Sequence, residues 1–348
     1  MNATVTPTER PPILVAGIGG ASLGTEVAKA LRLAGGYRIL GADISEQAYG
    51  HFDPVFDQTW AIDVNHYVDN LLDLCRQQNV RVVVPGGERP MLLLMKAKDR
   101  LREAGVQLAG NRTDLVLRLS DKRSCFAELH RLGIEVPFSL AIDRLLEPSD
   151  HVPFPCVIKP ATESGGSSSV SVARDIDEAN IHIGLLLKAG IAIILQEYLP
   201  ENDGEFTVGV LHLPNGRLVG SIALRRLFHS KLSVAARGPG FIISSGNSQG
   251  LIEDFPSIRR DAEAIATALG SVGPLNIQGR LRRGRLVPFE INPRFSASTY
   301  LRAMAGFNEL DIYLRELFQA EPAAAPSVRP GYYLRSFTET FVPLERQS

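Results

Sequence analysis

Three oxygen-bearing side chains stand at the spacing a metal site requires. Glu290 and Asn292, in Glu290-Ile291-Asn292, are two apart and so share one face of a strand. Gln278 lies on the preceding predicted strand, across an Arg282-Arg283-Gly284 turn, and a hairpin there brings all three together. Hard oxygen donors suit Mg²⁺, which uses one or two carboxylates and fills its shell with water and phosphate oxygens. Arg294, two residues further on, could clamp a phosphate. The plainer alternative is the polar outer face of an amphipathic hairpin. Phe289, Ile291 and Pro293 around Glu290 argue against a merely solvated face.

Two lysines form a second constellation. Lys159 ends the apolar run Cys156-Val157-Ile158-Lys159 and is followed by the Ser/Gly loop 164–169, whose backbone N–H groups and hydroxyls can fold over phosphates. Lys122 lies on a helix expected over 114–132. Taken singly, each is an ordinary solvated lysine, and the loop a flexible connection. Leu195-Gln196-Glu197-Tyr198-Leu199 passes from an apolar strand into a linker whose backbone groups can imitate a base pair to adenine. Glu205 beyond it can accept both hydroxyls of a ribose; the bland reading is a hinge with solvated acids. The basic stretch from Arg225-Arg226 through His229 and Lys231 to Arg237 could neutralise a triphosphate or bind an acidic substrate, or stand as a solvated loop. Arg226, Lys231 and Arg294 are the catalytic candidates.

The elements that must position these residues follow from the pattern of apolar runs. Ile13–Gly17, Arg38–Asp43, Arg81–Val84 and Val106–Ala109 read as short buried strands alternating with helices at about 26–33, 66–78 and 89–104. That alternation predicts a doubly wound parallel sheet over 12–112. The glycine-rich turn Gly17–Gly24, with Asp43 after the second strand, could seat a dinucleotide. Its spacing departs from GxGxxG, and a tight turn with close helix packing is the preferred reading. From 113 the chain turns to a small α+β unit ending near 197, then to hairpin-like strands over 198–330 and a tail at 331–348. The hairpins are Glu205–His212 with Arg217–Leu224, and 274–281 with 285–291; a last helix is expected at 308–319.

The chain's 348 residues suggest two or three domains. With 37 Lys+Arg against 38 Asp+Glu it carries a net charge of −1, which gives no ground for a nucleic-acid or anionic-membrane partner. No apolar run approaches the ~20 residues of a membrane span, and Met1–Pro12 lacks the apolar core of a secretory signal. Three separated cysteines, Cys75, Cys125 and Cys156, argue against a disulfide framework or zinc knuckle. A cytoplasmic protein is expected.

In their order along the chain, Asp121-Lys122, Val157-Ile158-Lys159-Pro160, the loop 163–170, Gln196–Leu199, Glu205-Phe206-Thr207, Asn276-Ile277-Gln278 and Glu290–Arg294 resemble the ATP-grasp superfamily. The likeness is to one synthetase half of the carbamoyl-phosphate synthase large subunit, and Ser296–Thr299 with Ala305-Gly306-Phe307 extends it over about 12–320. The resemblance implies an α/β chain in which two α+β subdomains sandwich ATP behind the N-terminal sheet domain. It implies that Lys122 and Lys159 contact ATP phosphates while Gly165, Gly166 and Ser167 cover them. Gln196, Glu197, Tyr198 and Leu199 would line the adenine site, Glu205 would bind ribose, and Gln278, Glu290 and Asn292 would hold Mg²⁺, for which Mn²⁺ may substitute. Arg294 would lie near an acyl phosphate. The implied reaction is ATP-dependent joining of a small carboxylate to an amine or similar nucleophile, with a homodimer common among such proteins. Gln278, where most of the superfamily has an acid, removes one negative charge and argues against a second metal. A regulatory ATP-binding protein without ligation is the first alternative, and an NAD-dependent oxidoreductase using the 17–24 turn ranks lower. Arg225, Arg226 and Arg302 point to an anionic substrate.

Overall fold

A computed structural model describes residues 10–20, 23–162, 169–322 and 326–342. They fall into two compact units: 1–113 with 295–327 and 334–348, and 114–294 with 328–333.

In the first unit the short apolar runs are buried on both faces, as a parallel sheet demands. The elements are β1 (Pro12–Ala16), α1 (Leu23–Ala34), β2 (Arg38–Asp43), β3 (Gln58–Ala61), α2 (Tyr67–Gln78), β4 (Val82–Pro85), α3 (Glu88–Lys96), α4 (Lys98–Glu103) and β5 (Gln107–Leu108). The strands order as β3-β2-β1-β4-β5, all parallel, which is the expected doubly wound sheet. The single helix expected over 89–104 is two, broken at Ala97.

The second unit holds two antiparallel sheets. The smaller comprises α5 (Thr113–Ser120), α6 (Lys122–Arg131), β6 (Ser139–Ile142), β7 (Cys156–Pro160), β8 (Ser171–Ala173), α7 (Ile176–Lys188) and β9 (Ile193–Glu197), with strand order β6-β9-β7-β8. The helix expected over 114–132 is interrupted because the Asp121 carboxylate accepts from Arg123 N–H at 2.8 Å and caps a new helix. Lys122 therefore begins α6 instead of lying mid-helix.

The larger sheet is built from β10 (Glu205–His212), β11 (Leu218–Arg226), β14 (Gly250–Ile252), β15 (Pro274–Arg282), β16 (Arg285–Asn292) and β17 (Gly331–Tyr333), ordered β16-β15-β10-β11-β14-β17. Between β11 and β14 a separate hairpin forms from β12 (Val234–Gly238) and β13 (Phe241–Ser244), and α8 (Pro256–Ala268) follows β14. One face of the large sheet buries Phe206, Val208, Ala223, Ile277, Leu286 and Ile291 with residues of α5, α6 and α8. The register slips between Gln278 and Gly279, so that Phe289 is an extra residue in β16 opposite them. A Cβ on Gly279 would stand 2.7 Å from Val287 O, so this slip needs glycine across from it.

Helices α9 (Thr299–Met304) and α10 (Glu309–Leu317), the second corresponding to the last helix expected at 308–319, belong to the first unit and not with the rest of 198–330. Their polar groups reach the parallel-sheet domain: Asn308 Nδ2 donates to Ala30 O at 2.8 Å and Tyr313 Oη to Gly110 O at 2.9 Å. Among the described residues no helix is long and apolar enough to cross a membrane.

Candidate functional site

Alternation along the large sheet puts Glu205 and Thr207, Arg226, Asn276, Gln278 and Arg280, and Glu290 and Asn292 on the face opposite the apolar core. Glu290 is the register partner of Gln278, and Asn292 that of Asn276, so the expected metal triad is assembled by strand pairing. Asn292 Nδ2 donates to Glu290 Oε1 at 2.9 Å, and Arg294 donates to Asn292 Oδ1 at 3.4 Å. Among the described residues, no group of three or more His, Cys, Asp or Glu could hold a metal. The donor set is one carboxylate with amide oxygens, and it fits Mg²⁺ that draws the rest of its shell from water and phosphate oxygens.

Lys159 faces this row from the small sheet. It is 7% exposed, and its ammonium donates to Gln196 Oε1 at 2.9 Å and to Phe289 O at 3.1 Å, the carbonyl of the extra residue in β16. The Phe126 ring lies 5.6 Å from its nitrogen. Burial pushes the Lys159 pKa down to about 8; Glu290 pulls it back up, and the charge of Lys122 lowers it further. A cleft is lined by Lys159, Gln196 to Leu199, Glu290, Arg280 and Phe289, with Ile243 and Ser244 of β13.

Other expected residues are placed differently. Glu205 is fully buried beneath the cleft, where Arg280 holds it at 2.8 Å and Arg226 at 3.5 Å; it does not line the cleft as a ribose ligand would. Arg226 is also buried, and donates to Gln278 Oε1 at 3.3 Å and Ser245 O at 2.6 Å, so it braces Gln278 from the same face of the sheet. Lys231 stands exposed on the short turn Lys231–Ser233. Arg302 does not face a substrate: it is buried in the first unit, paired with Glu309 at 3.3 Å. Gly165, Gly166 and Ser167 lie outside the described residues. Within the hinge, Glu197 N–H already goes to Phe138 O and Tyr198 N–H to Pro155 O, while Arg282 takes the Glu197 carboxylate at 2.5 Å. Arg280 was not singled out from sequence. Counting two residues on from Gln278 along the same strand face would have found it.

In the first unit the glycine turn serves packing. Gly17 has φ +99°, and a Cβ on Gly24 or Gly86 would fall 1.9 Å from Gly17 O. Asp43, expected as the ribose acid of a dinucleotide site, spends its carboxylate on Ile18 N–H at 2.7 Å and Ser45 N–H at 3.1 Å. All three cysteines are free and buried thiols, each pushed up to about 12 by burial, which makes them poor nucleophiles.

The Lys159 environment predicts a pH dependence. A folded pKa below the ordinary lysine value leaves the group protonated below about 8 and neutral above it. The kcat/KM for ATP is therefore expected to fall roughly tenfold per pH unit above that point. Stability should rise with pH between about 8 and the unfolded lysine value near 10.4, because there the unfolded chain binds the extra proton. A kcat/KM profile flat to pH 10 would contradict the assignment of Lys159 as a charged phosphate contact.

Comparison with known proteins agrees with this geometry. Residues 191–340 match the family described as ATP-grasp in the biosynthetic pathway with Ter operon. The carbamoyl phosphate synthase large chain of Thermotoga sp. (strain RQ2) is 25% identical over 293 residues, 81% of this chain but 26% of that protein. That of Thermomicrobium roseum is 26% identical over 328 residues, 88% of this chain and 29% of that protein. The chain thus spans roughly a quarter of the length of these relatives. An L-amino acid ligase from Bacillus licheniformis superposes with a TM-score of 0.67 at 16% identity, covering 92% of this chain and 78% of that one. The ADP complex of a Staphylococcus aureus N5-carboxyaminoimidazole synthetase gives 0.65 at 14% identity, covering 94% and 83%. Two antiparallel sheets, a lysine-bearing cleft between them and an N-terminal parallel sheet are the ATP-grasp fold, and residues 191–340 match an ATP-grasp family.

Proposed function

We propose that this chain is an ATP- and Mg²⁺-dependent ligase that activates a small-molecule carboxylate as an acyl phosphate and joins it to an amine. The observation that carries the reading is the buried Lys159 ammonium, held by Phe289 O across the cleft and facing the Glu290, Gln278 and Asn292 row. A cation facing an oxygen-donor set between the two sheets supports the reading of a triphosphate site there. Phosphoryl transfer asks for positioning and charge neutralisation more than for covalent help from the protein. A carboxylate oxygen attacks the γ-phosphorus and ADP leaves. The amine nitrogen then attacks the acyl carbon, the C–O bond to phosphate breaks, and the amine proton leaves with phosphate or water. Lys159 and Lys122 offset phosphate charge, and Arg294 holds Asn292 and with it the donor row. Mg²⁺ held by Glu290, Asn292 and Gln278 would supply charge neutralisation to the phosphate oxygens. The ligase and ADP-bound synthetase among the structural relatives support the same class of reaction.

The direct test is release of ADP and phosphate by the purified chain with Mg²⁺, assayed over amino acids and organic acids paired with amines. Turnover that needs both a carboxylate and an amine is the expected result. Thermal stabilisation by a non-hydrolysable ATP analogue, with no ADP release from any pair, would replace the ligase reading with that of an ATP-binding regulatory protein.

A further inference from the structure

The hairpin β12–β13 pairs with no other strand among the described residues, and an isolated two-stranded hairpin is marginal in water. Yet Ile243 and Ser244 of its second strand form a wall of the cleft. Both backbone groups of Ile242, between these wall residues and the turn, are caught by side chains from the nucleotide side. Tyr198 Oη accepts from Ile242 N–H at 2.8 Å while donating to Glu201 Oε2 at 2.5 Å. Arg280 Nη2 donates to Ile242 O at 2.6 Å. The rest of the Arg280 fork is shared out: Nε to Glu205 Oε2 at 2.8 Å and Nη1 to Leu199 O at 2.5 Å. Its central carbon lies 4.9 Å from the centre of the Tyr198 ring, which packs edge-on to Phe241 of the same hairpin. One guanidinium thus joins three separate segments: the hinge after β9, the floor strand β10, and the hairpin. Only a planar fork with several fixed donors does this; a lysine offers a single point.

We propose that Tyr198 and Arg280 are positioning residues that fasten the hairpin β12–β13 against the hinge and so set the wall that Ile243 and Ser244 give to the cleft. Holding that wall from the hinge and from Glu205 makes the shape of the cleft depend on these side-chain contacts. The latch stands on contacts within the chain itself; only its service to ATP rests on the function proposed above.

Arg237, exposed on β12 and in register with Ile242, supplies the probe. Limited trypsin digestion of the full chain without nucleotide reads cleavage at Arg237–Gly238, with cleavage at the exposed Arg102 and Arg131 as internal controls. Tyr198→Phe removes one hydroxyl and is the gentle variant; Arg280→Met and Arg280→Lys complete the set. The expected result is cleavage at Arg237 at least tenfold faster in Tyr198→Phe and in Arg280→Met, with the control bonds unchanged and Arg280→Lys failing to restore protection. Wild-type rates at Arg237 in Tyr198→Phe, or parallel acceleration at every bond in all three variants, would overturn the proposal. A parallel digestion with a non-hydrolysable ATP analogue separates the two readings. No effect of the analogue on the wild-type chain, beside hairpin-specific acceleration in the variants, would sink the ATP reading and leave the latch standing.

Discussion

Lys159→Met is expected to lower kcat/KM for ATP by about a thousandfold or more while changing stability at pH 7 by little, since charge stabilisation of this kind is worth several kcal/mol in a water-poor site. Two opposed effects keep the stability change small. A lysine whose pKa is pushed down to about 8 by burial carries roughly 3 kcal/mol of charge-burial cost that methionine removes. Against this, Gln196 Oε1 and Phe289 O lose their donor, at about 1–3 kcal/mol each where water does not replace it. A structural lysine would show the reverse pattern, with stability falling and turnover tracking the folded fraction. Glu290→Gln makes a second arm: it keeps the Asn292 contact but removes the one carboxylate of the row. Turnover within tenfold of wild type in both variants, measured by coupled ADP release at saturating Mg²⁺, would end the case for this cleft as the reacting centre.

Glu309→Ala should be the most damaging single change to stability outside the cleft. Arg302 and Glu309 are each 1% exposed and lie 3.3 Å apart, and Thr299 Oγ1 adds a bond to Glu309 Oε1 at 2.6 Å. Burial pulls the Arg302 pKa down and Glu309 holds it up, so removing the acid leaves a guanidinium without its counter-charge in the core. Loss of about 3–5 kcal/mol is expected. The double variant Arg302→Met, Glu309→Leu should regain most of it, because a well-packed apolar pair avoids the desolvation cost altogether. Urea unfolding of the three proteins decides the matter, and a Glu309→Ala midpoint equal to wild type would show the pair to be dispensable.

The sequence was most informative where a single periodicity governs a segment. β2 and β10 match their expected bounds because each is a short run whose burial is uniform along its length. The row of Glu290, Asn292 and Gln278 was legible because strand parity and one turn fix which side chains meet. Where two local preferences compete, the reading failed: Asp121 sits in an apolar helical pattern, yet its side chain prefers the capping role and splits the helix. Long-range pairing was illegible for a different reason. Nothing local distinguishes Arg226, buried beside Glu205, from exposed Arg225 next to it, or tells that Arg302 meets Glu309 in a core. Charge type was visible, whereas burial depends on partners far along the chain.

The extra residue in β16 resolves a mismatch written into the strand. Leu286 and Ile291 both enter the same apolar core although five positions separate them, an odd number that strict alternation would send to opposite sides. Phe289 acts as a one-residue dislocation in the ladder. Before it the strand runs in one phase, after it in the other, and Glu290 is thereby turned toward the cleft while the apolar side stays closed. The carbonyl displaced by that phase change is the one that Lys159 takes. A lattice defect and a buried cation thus satisfy each other, and smoothing the strand would cost the protein either a core leucine or the carboxylate of its donor row.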